Sequence, residues 1–573
     1  MLKFKYTCSC FMMASLMVGM FSCNDLEEYN PSGATADTVW STPEGFMTLV
    51  NAAYSEQRQL FGKEDGLFMF ESGTDLWFNE GKGGYARQMT KYEGLTPADG
   101  NPNKKAWQVL WNSINHANAG INRIDNAGFT SQEERNSRLA ELRFVRAFNY
   151  YYLVETYGGV MLRTRETQGV QLTAERSPVE DFYKLMIEDL TYAAEHLPVS
   201  FGAEYSRATK KSALGFLSKV YLSRAYYSKG AEAAPFFQKA RDVAQEVINR
   251  KSEFGVDLWK SYEELWDPKN NKRNKEALYV VSNSASNTAL NYDADANRLH
   301  LWFMTPYSGK PGLVRSLKYG RDNSRRLMPT LALLDFFDEK KDARYKGSFR
   351  EVWIANNPFS WTAKTVAEYG KDRSLIGKTM VPGKDTALYI TKRTIANERM
   401  LPYVVIDRDS TYFTSAAGAI RTGRDFVQLT KFEDPTRASI EANPGFQDII
   451  IMRFAEMYLI AAEAELQLGN TARAAEYINV IRRRAALPGK VAEMEVAAGD
   501  IDIDFILDER ARELAGEHTR WLDLKRTGKL VERVREHNPD ITLIRPHHVL
   551  RPIPQVELDA LTNGTEFGQN PGY

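Results

Sequence analysis

The chain has 573 residues, with 74 Lys and Arg against 74 Asp and Glu, and 43% of it is hydrophobic. The charge balance lacks the basic excess that a nucleic-acid partner wants, and the length gives room for one large core or several domains. The cysteines are Cys8, Cys10 and Cys23, which excludes a disulfide framework, a cysteine nucleophile and a thiolate metal site from the body after residue 23.

Residues 1–22 have the parts of a secretory signal: Lys3 and Lys5, an apolar stretch from Phe11 to Phe21, then small Ser22. The stretch is too short for a permanent bilayer span, which needs about 20 residues, and no later segment supplies such a run. Export without a transmembrane helix is expected. Without residues 1–22, which hold Lys3 and Lys5 and no acid, 72 bases face 74 acids. Cys23 is either incidental to an ordinary signal or an acylation site. Met20-Phe21-Ser22-Cys23 resembles a bacterial lipoprotein box, with Met20 at the position where leucine is usual. The resemblance implies that Cys23 carries lipid and becomes the new N-terminus, a firm anchor at roughly 0.8 kcal/mol per buried CH₂. Residues 23–40, with Pro31, Ser32 and Gly33, then read as an extended lipidated tether.

From residue 41 helical periodicity dominates. Phe46, Leu49, Val50, Ala53 and Tyr54 share one face, and Trp107, Leu110, Trp111 and Ile114 another. Leu142, Val145, Phe148 and Tyr152 make a third stripe, stopped by Gly158-Gly159. In SPVEDFYKLMIEDLTYAAEHLP, Ser177 reads as the cap, Pro178 as the first helical residue and Glu180 as the third. Helices follow over RATKKSALGFLSKVYLSRAYYS and PFFQKARDVAQEVINR. Near the end, a helix closing at Leu468-Gly469 and a second after Asn470, with Ala474 and Ala475 one turn in, have tetratricopeptide-like chemistry.

Residues 252–445 differ. Gly, Pro, Asn and aromatics become common, and strand-like pieces such as ALYVVSNS and DFVQLTKF appear. The expected fold is mainly α: a tetratricopeptide-like helical-repeat scaffold at 41–251 and 446–573, interrupted by a long irregular, loop-rich region with short strands. Loops on a rigid scaffold are where binding residues usually sit.

Several blocks resemble the SusD/RagB family. They are LRFVRAFNYYYLVETYGGVMLRT, IIIMRFAEMYLIAAEAELQLGN, INVIRRRA, ILDERARELAGEHTRWLDLKRTGKL and the close RPIPQVELDA…GQNPGY. The 252–445 region carries no matching motif, and Glu517-His518 stands where the family more often has Glu-Gly. The resemblance implies one SusD-like domain over 41–573 and an outer-membrane, lipid-anchored lipoprotein facing the cell exterior. It implies capture of a nutrient, most often a glycan, for a SusC-type TonB-dependent transporter, without catalysis or cofactor; a peptide carrier of the RagB kind is the alternative.

The residues themselves bear on those expectations. The histidines, at 116, 196, 300, 518, 537, 547 and 548, form no H-E-x-x-H or other metal spacing, and no nucleophile elbow or phosphate loop occurs. Among 74 acids, counting carboxylates does not decide about a glycosidase pair. DADAN, Asp293 to Asn297, starts like a calcium loop, but Arg298 replaces its glycine and Met304 its final glutamate. Arg143, Arg146, Glu509, Arg510, Glu513, Trp521 and Asp523 lie on or beside apolar helical faces and read as scaffold ion pairs.

A saccharide ligand needs aromatic planes for its C–H faces and polar groups for its hydroxyls. DLWFNEGKGGYARQ supplies Asp75, Trp77, Phe78, Asn79, Tyr85 and Arg87 among glycines. A second set is Tyr292, Asn297, Arg298, Trp302 and Tyr307, and a third is Trp353 and Trp361. Each aromatic reads either as a ligand platform or as core of the irregular region. Asp75, Trp77, Asn79, Tyr85, Arg87, Tyr292 and Trp302 are the expected ligand contacts.

Overall fold

The computed structural model describes residues 35–78, 85–98, 101–284, 286, 296–322, 326–409 and 425–573. The signal, Cys23, Asn79 and Tyr292 lie outside them, as does the side chain of Tyr85. The end of the expected tether is not extended. Thr35 and Thr38 cap a one-turn helix, Ala36–Val39, and Arg123 lies over the Trp40 ring at 5.2 Å and pairs with Asp37, docking this segment on the domain.

The helices are α1 (Pro43–Ser55), α2 (Glu64–Phe70), α3 (Asn101–Arg123), α4 (Gln132–Tyr157), α5 (Val179–His196), α6 (Lys210–Tyr227) and α7 (Ala234–Asn249) in the first half. In the second half come α8 (Phe454–Gln467), α9 (Thr471–Ala485), α10 (Ile503–Leu514), α11 (Arg520–Arg526) and α12 (Leu530–His537). From α3 to α9 each helix packs on the next, so α7 and α8 join the two halves across the intervening region. This is the tetratricopeptide-like array that the periodicity predicts. Close contact follows from small residues: Ala240, Ala244, Ala461, Ala464 and Ala474 have no exposed surface.

Local chemistry sets the helix ends. Thr42 accepts from the Gly45 N–H at 3.2 Å and Pro43 opens α1. Ser131 caps α4, and Gly158, at φ +72°, ends it. Helix α5 starts one residue later than expected, at Val179, with Pro178 at the cap and no side-chain cap bond. The Ser177 N–H instead donates to the Val160 carbonyl at 2.7 Å, which holds Ser177 in the incoming segment.

Short strands are β1 (Trp77–Phe78) and β9 (Ile449–Arg453) in the scaffold halves and, in the irregular region, β2 (Ala277–Val281), β3 (Met328–Pro329), β4 (Phe349–Arg350), β5 (Val352–Ile354), β6 (Thr386–Thr391), β7 (Val404–Asp407) and β8 (Gln428–Leu429). β9 pairs antiparallel with β2, Ile449 opposite Val281, and rests on α6. There a Cβ on Gly215 would stand 2.9 Å from Met452 Sδ and 3.1 Å from Leu278 Cδ1, so the missing side chain lets the sheet pack closely without moving them. β6 joins β5 antiparallel and β7 parallel. One hydrophobic core, from Phe46 to Phe567, runs through scaffold and irregular region alike.

Two of the family blocks meet in space. Asn570 Nδ2 donates to the Tyr157 and Arg551 carbonyls at 2.9 and 2.8 Å. Arg176 ties the Gly159 carbonyl (2.8 Å) to those of Phe567 and Gly568 (both 2.9 Å). The Gln-Asn-Pro-Gly-Tyr close thus clasps the Tyr-Gly-Gly turn.

Candidate functional site

The arginines and carboxylates of the family blocks make the frame. Arg453 is buried and reaches Glu276 and Glu513 at 2.7 Å and Glu517 at 2.8 Å. Arg344 reaches Glu509 at 2.8 Å and Glu513 at 3.0 Å. Burial alone would raise the Glu509 and Glu513 pKa values, but the surrounding arginines hold both carboxyls well below the usual range. Arg510 pairs with Asp523 at 2.7 Å and Arg146 with Asp189 at 2.8 Å. Arg143 lies over the Tyr192 ring at 4.3 Å, and Trp521 carries the Arg551 guanidinium on its face at 4.7 Å. These groups are occupied with one another.

The structure turns part of the expected ligand set inward. Asp75 is fully buried, accepts from Arg520 Nε at 2.8 Å and pairs with Arg533 at 3.1 Å. Burial pushes its pKa up, but the two guanidinium groups win and hold it below the usual range. Trp77 is 1% exposed, and its indole N–H donates to Glu71 at 2.9 Å. Trp302 is 4% exposed, with Arg298 and Arg326 over its ring at 5.2 and 5.8 Å. Trp353 and Trp361 are also core. Asp75, Trp77 and Trp302 therefore support the site and present no open face to a ligand. Arg87 is different: half its side-chain surface is exposed, and it makes only a 3.4 Å contact with Glu93 among the described residues.

What the buried residues do is bring the loop roots together. Trp77 pairs with Pro329 and Phe78 with Met328, so Phe78 and the described segment that starts at Arg326 meet in one two-stranded ladder. The Trp302 carbonyl accepts from the N–H groups of Arg326 and Leu327, both at 3.0 Å, and the Arg298 N–H donates to the Gly62 carbonyl at 2.8 Å. Asn297 and Gly445 exchange backbone bonds. These contacts link Gly62, Phe78, Asn297, Arg298, Trp302, Arg326 and Gly445 into one rim, where Arg326 pairs with Glu64. Asp293 to Asp295 of the DADAN turn lie outside the described residues.

A line of aromatic contacts leads from this rim through the core. Trp77 meets Phe303 at 5.1 Å, Phe303 meets Phe432 at 5.4 Å, and Phe432 meets Trp266 at 5.7 Å. Trp266 opens on a cleft of about 810 Å³, lined by residues of the irregular region and by Leu487. Its walls combine Trp266 and Tyr389 with Arg350, Glu433, Glu351 and Arg393. Arg350 pairs with Glu433, and the Tyr345 hydroxyl donates to Glu351 at 2.6 Å. An aromatic lining with a few fixed polar groups is the ordinary composition of a small-molecule site. Sequence reasoning missed this cleft. Its lining comes from well-separated pieces of chain, and no local motif marks them. Among the described residues no group of three His, Cys, Asp or Glu side chains could hold a metal ion, and no helix is long and apolar enough to cross a membrane.

Comparison with known proteins gives two profile matches: "SusD family" over residues 337–573 and "Starch-binding associating with outer membrane" over residues 65–222. SusD-like protein P2 of Formosa agariphila is 27% identical, over 97% of this chain and 98% of that protein. The starch-binding protein SusD of Bacteroides thetaiotaomicron is 22% identical over 78% of this chain and 74% of its own length. Among solved structures, a laminarin-binding SusD-like protein superposes with a TM-score of 0.66 at 21% identity, covering 93% of this chain and all of that one.

Proposed function

Because this chain belongs to the SusD/RagB family, we propose that it is a surface lipoprotein of the outer membrane that captures an oligo- or polysaccharide. It hands the glycan to a SusC-type TonB-dependent transporter, which supplies the energy-coupled step. Cys23 carries the lipid. The protein binds and does not catalyse. Starch and laminarin binding by relatives with this fold support a glycan.

One observation supports this site for capture: the ladder of Trp77-Phe78 with Met328-Pro329 fixes Phe78, which precedes Asn79, beside the segment that starts at Arg326. Rigid roots fix where loop side chains start, which lowers the ordering cost of binding. Asn79, Tyr85, Arg87 and Tyr292 are the proposed contacts, with Trp77 and Trp302 as the buried base beneath them.

Calorimetry of the purified protein against a polysaccharide panel that includes laminarin and starch tests this reading. Binding to at least one is expected. Tyr85→Ala and Arg87→Ala should each weaken it about five- to tenfold with an unchanged melting temperature. No binding to any polysaccharide would sink the glycan reading, and binding of peptides in its place would establish the RagB-like one.

A further inference from the structure

A second concavity shares no lining residue with the 810 Å³ cleft. It has a volume of about 750 Å³ and sits between the end of α1, the 203–207 turn and the end of β2.

Its charges are almost all matched. Lys272 pairs with Asp448, which also accepts from the Tyr205 hydroxyl at 2.5 Å and from Ser282 Oγ at 2.9 Å. Arg207 is shared between Glu141 at 3.0 Å and Glu204 at 2.9 Å. Arg58 is left over. Its Nε donates to the Ser282 carbonyl at 2.8 Å, and no carboxylate pairs with it among the described residues. Burial lowers its pKa below the ordinary arginine value, and nearby Tyr279 and Asp448 offset this only in part. A half-buried guanidinium with its terminal nitrogens unmatched is a fork for a carboxylate.

Beside it, Gln57 is 2% exposed and lines the same cavity. Its Oε1 accepts from the Tyr279 hydroxyl at 2.6 Å, while its Nε2 is buried with no acceptor. A buried amide donor without a partner costs about 1–3 kcal/mol, unless something supplies an acceptor. Around these two donors stand Tyr54, Tyr205, Asn51 and Asn283, ring edges and amides of the kind that match sugar hydroxyls and C–H faces.

We infer that this cavity is a second binding site, which takes a carboxylate-bearing sugar unit: the carboxylate on Arg58, a ring or carboxylate oxygen on Gln57 Nε2, and the hydroxyls on the surrounding amides. The inference rests on the reading of the chain as a saccharide binder, and it adds an acidic specificity carried by Arg58 and Gln57.

Calorimetry on the full-length mature protein with glucuronic acid, glucose and inorganic phosphate tests it, together with a neutral polysaccharide that the protein binds. Glucuronate should bind more tightly than glucose and phosphate. Arg58→Gln should weaken glucuronate at least about tenfold and leave the neutral polysaccharide unchanged. Asn51→Trp, which gives up the 2.8 Å bond from Arg207 to Asn51 Oδ1 and puts a bulky ring into the lining, should do the same, and an unchanged melting temperature in both variants separates lost binding from a folding defect. Equal affinity for phosphate and glucuronate, or glucuronate binding that survives both variants, overturns the acidic-sugar site and leaves the glycan reading standing. No binding of any saccharide by the wild type overturns both.

Discussion

His518 sits in left-handed backbone, at φ +60°, at the position where the family more often has glycine. The conformation explains the preference, because glycine enters this region without a Cβ penalty. In this chain the histidine accepts the strain and fills space: it is 2% exposed, with its ring 5.7 Å from that of Phe61. Burial pulls its pKa down to about 3. The unfolded chain takes up that proton near the ordinary value of about 6.5, so the stability tied to a neutral His518 is full above that pH and is lost as pH falls toward 3. His300, pulled to about 2, and His548, pulled to about 3, act in the same direction. Asparagine tolerates left-handed backbone and does not titrate. The melting temperature of His518→Asn should therefore fall less steeply than that of the wild type between pH 7 and pH 4. Parallel melting curves for the two proteins would remove His518 from the acid response.

At the scale of elements, the arginine–carboxylate cluster is what holds helices to strands. Arg453 ends β9, Glu276 precedes β2, Glu513 lies on α10 and Arg484 on α9, and all four meet in one buried group. A salt bridge of this kind is weak evidence for net stability, but breaking it from one side is costly, since the carboxylates keep their desolvation and lose their cation. Arg453→Met should lower unfolding free energy by about 3–5 kcal/mol, read as a shift in the urea midpoint. A loss under about 1 kcal/mol would mean that Arg344, Arg484 and Lys431 neutralise the cluster without it. The expectation of scaffold ion pairs for Glu509, Arg510 and Glu513 came from charge recurring on apolar helical faces. Arg344 and Glu276 lie in the irregular stretch, where no periodicity flags them.

The whole molecule is closed by contacts between its ends. Glu71 accepts from the Gly516 N–H at 2.7 Å, and Asn538 Nδ2 bonds the carbonyls of Thr74 and Trp77 at 2.6 and 2.9 Å. The late helices thereby fix the segment 71–77. The end of the expected tether, Thr35 to Trp40, also packs on the body. If Cys23 is the anchor, Cys23→Ala should move the protein from the membrane pellet to the soluble fraction and abolish incorporation of labelled palmitate. Retention of the variant in the pellet would refute the lipid anchor.

The sequence by itself determined the elements whose causes are local. Apolar stripes and glycine stops placed the helices, paired small residues announced their close packing, and the ordered blocks pointed to the family. It also emptied the body of cysteine chemistry. Only the tertiary structure decided which aromatic and charged side chains are core. Asp75 and Trp77 sit in a glycine-rich stretch that reads as a binding loop, yet the partner that buries Asp75, Arg520, lies 445 residues away. The cavity with Arg58 was likewise invisible, because the lack of a counter-charge is a property of the whole surrounding and not of any neighbour in sequence. Burial depends on what the rest of the chain brings over a residue, and that is set by packing at long range.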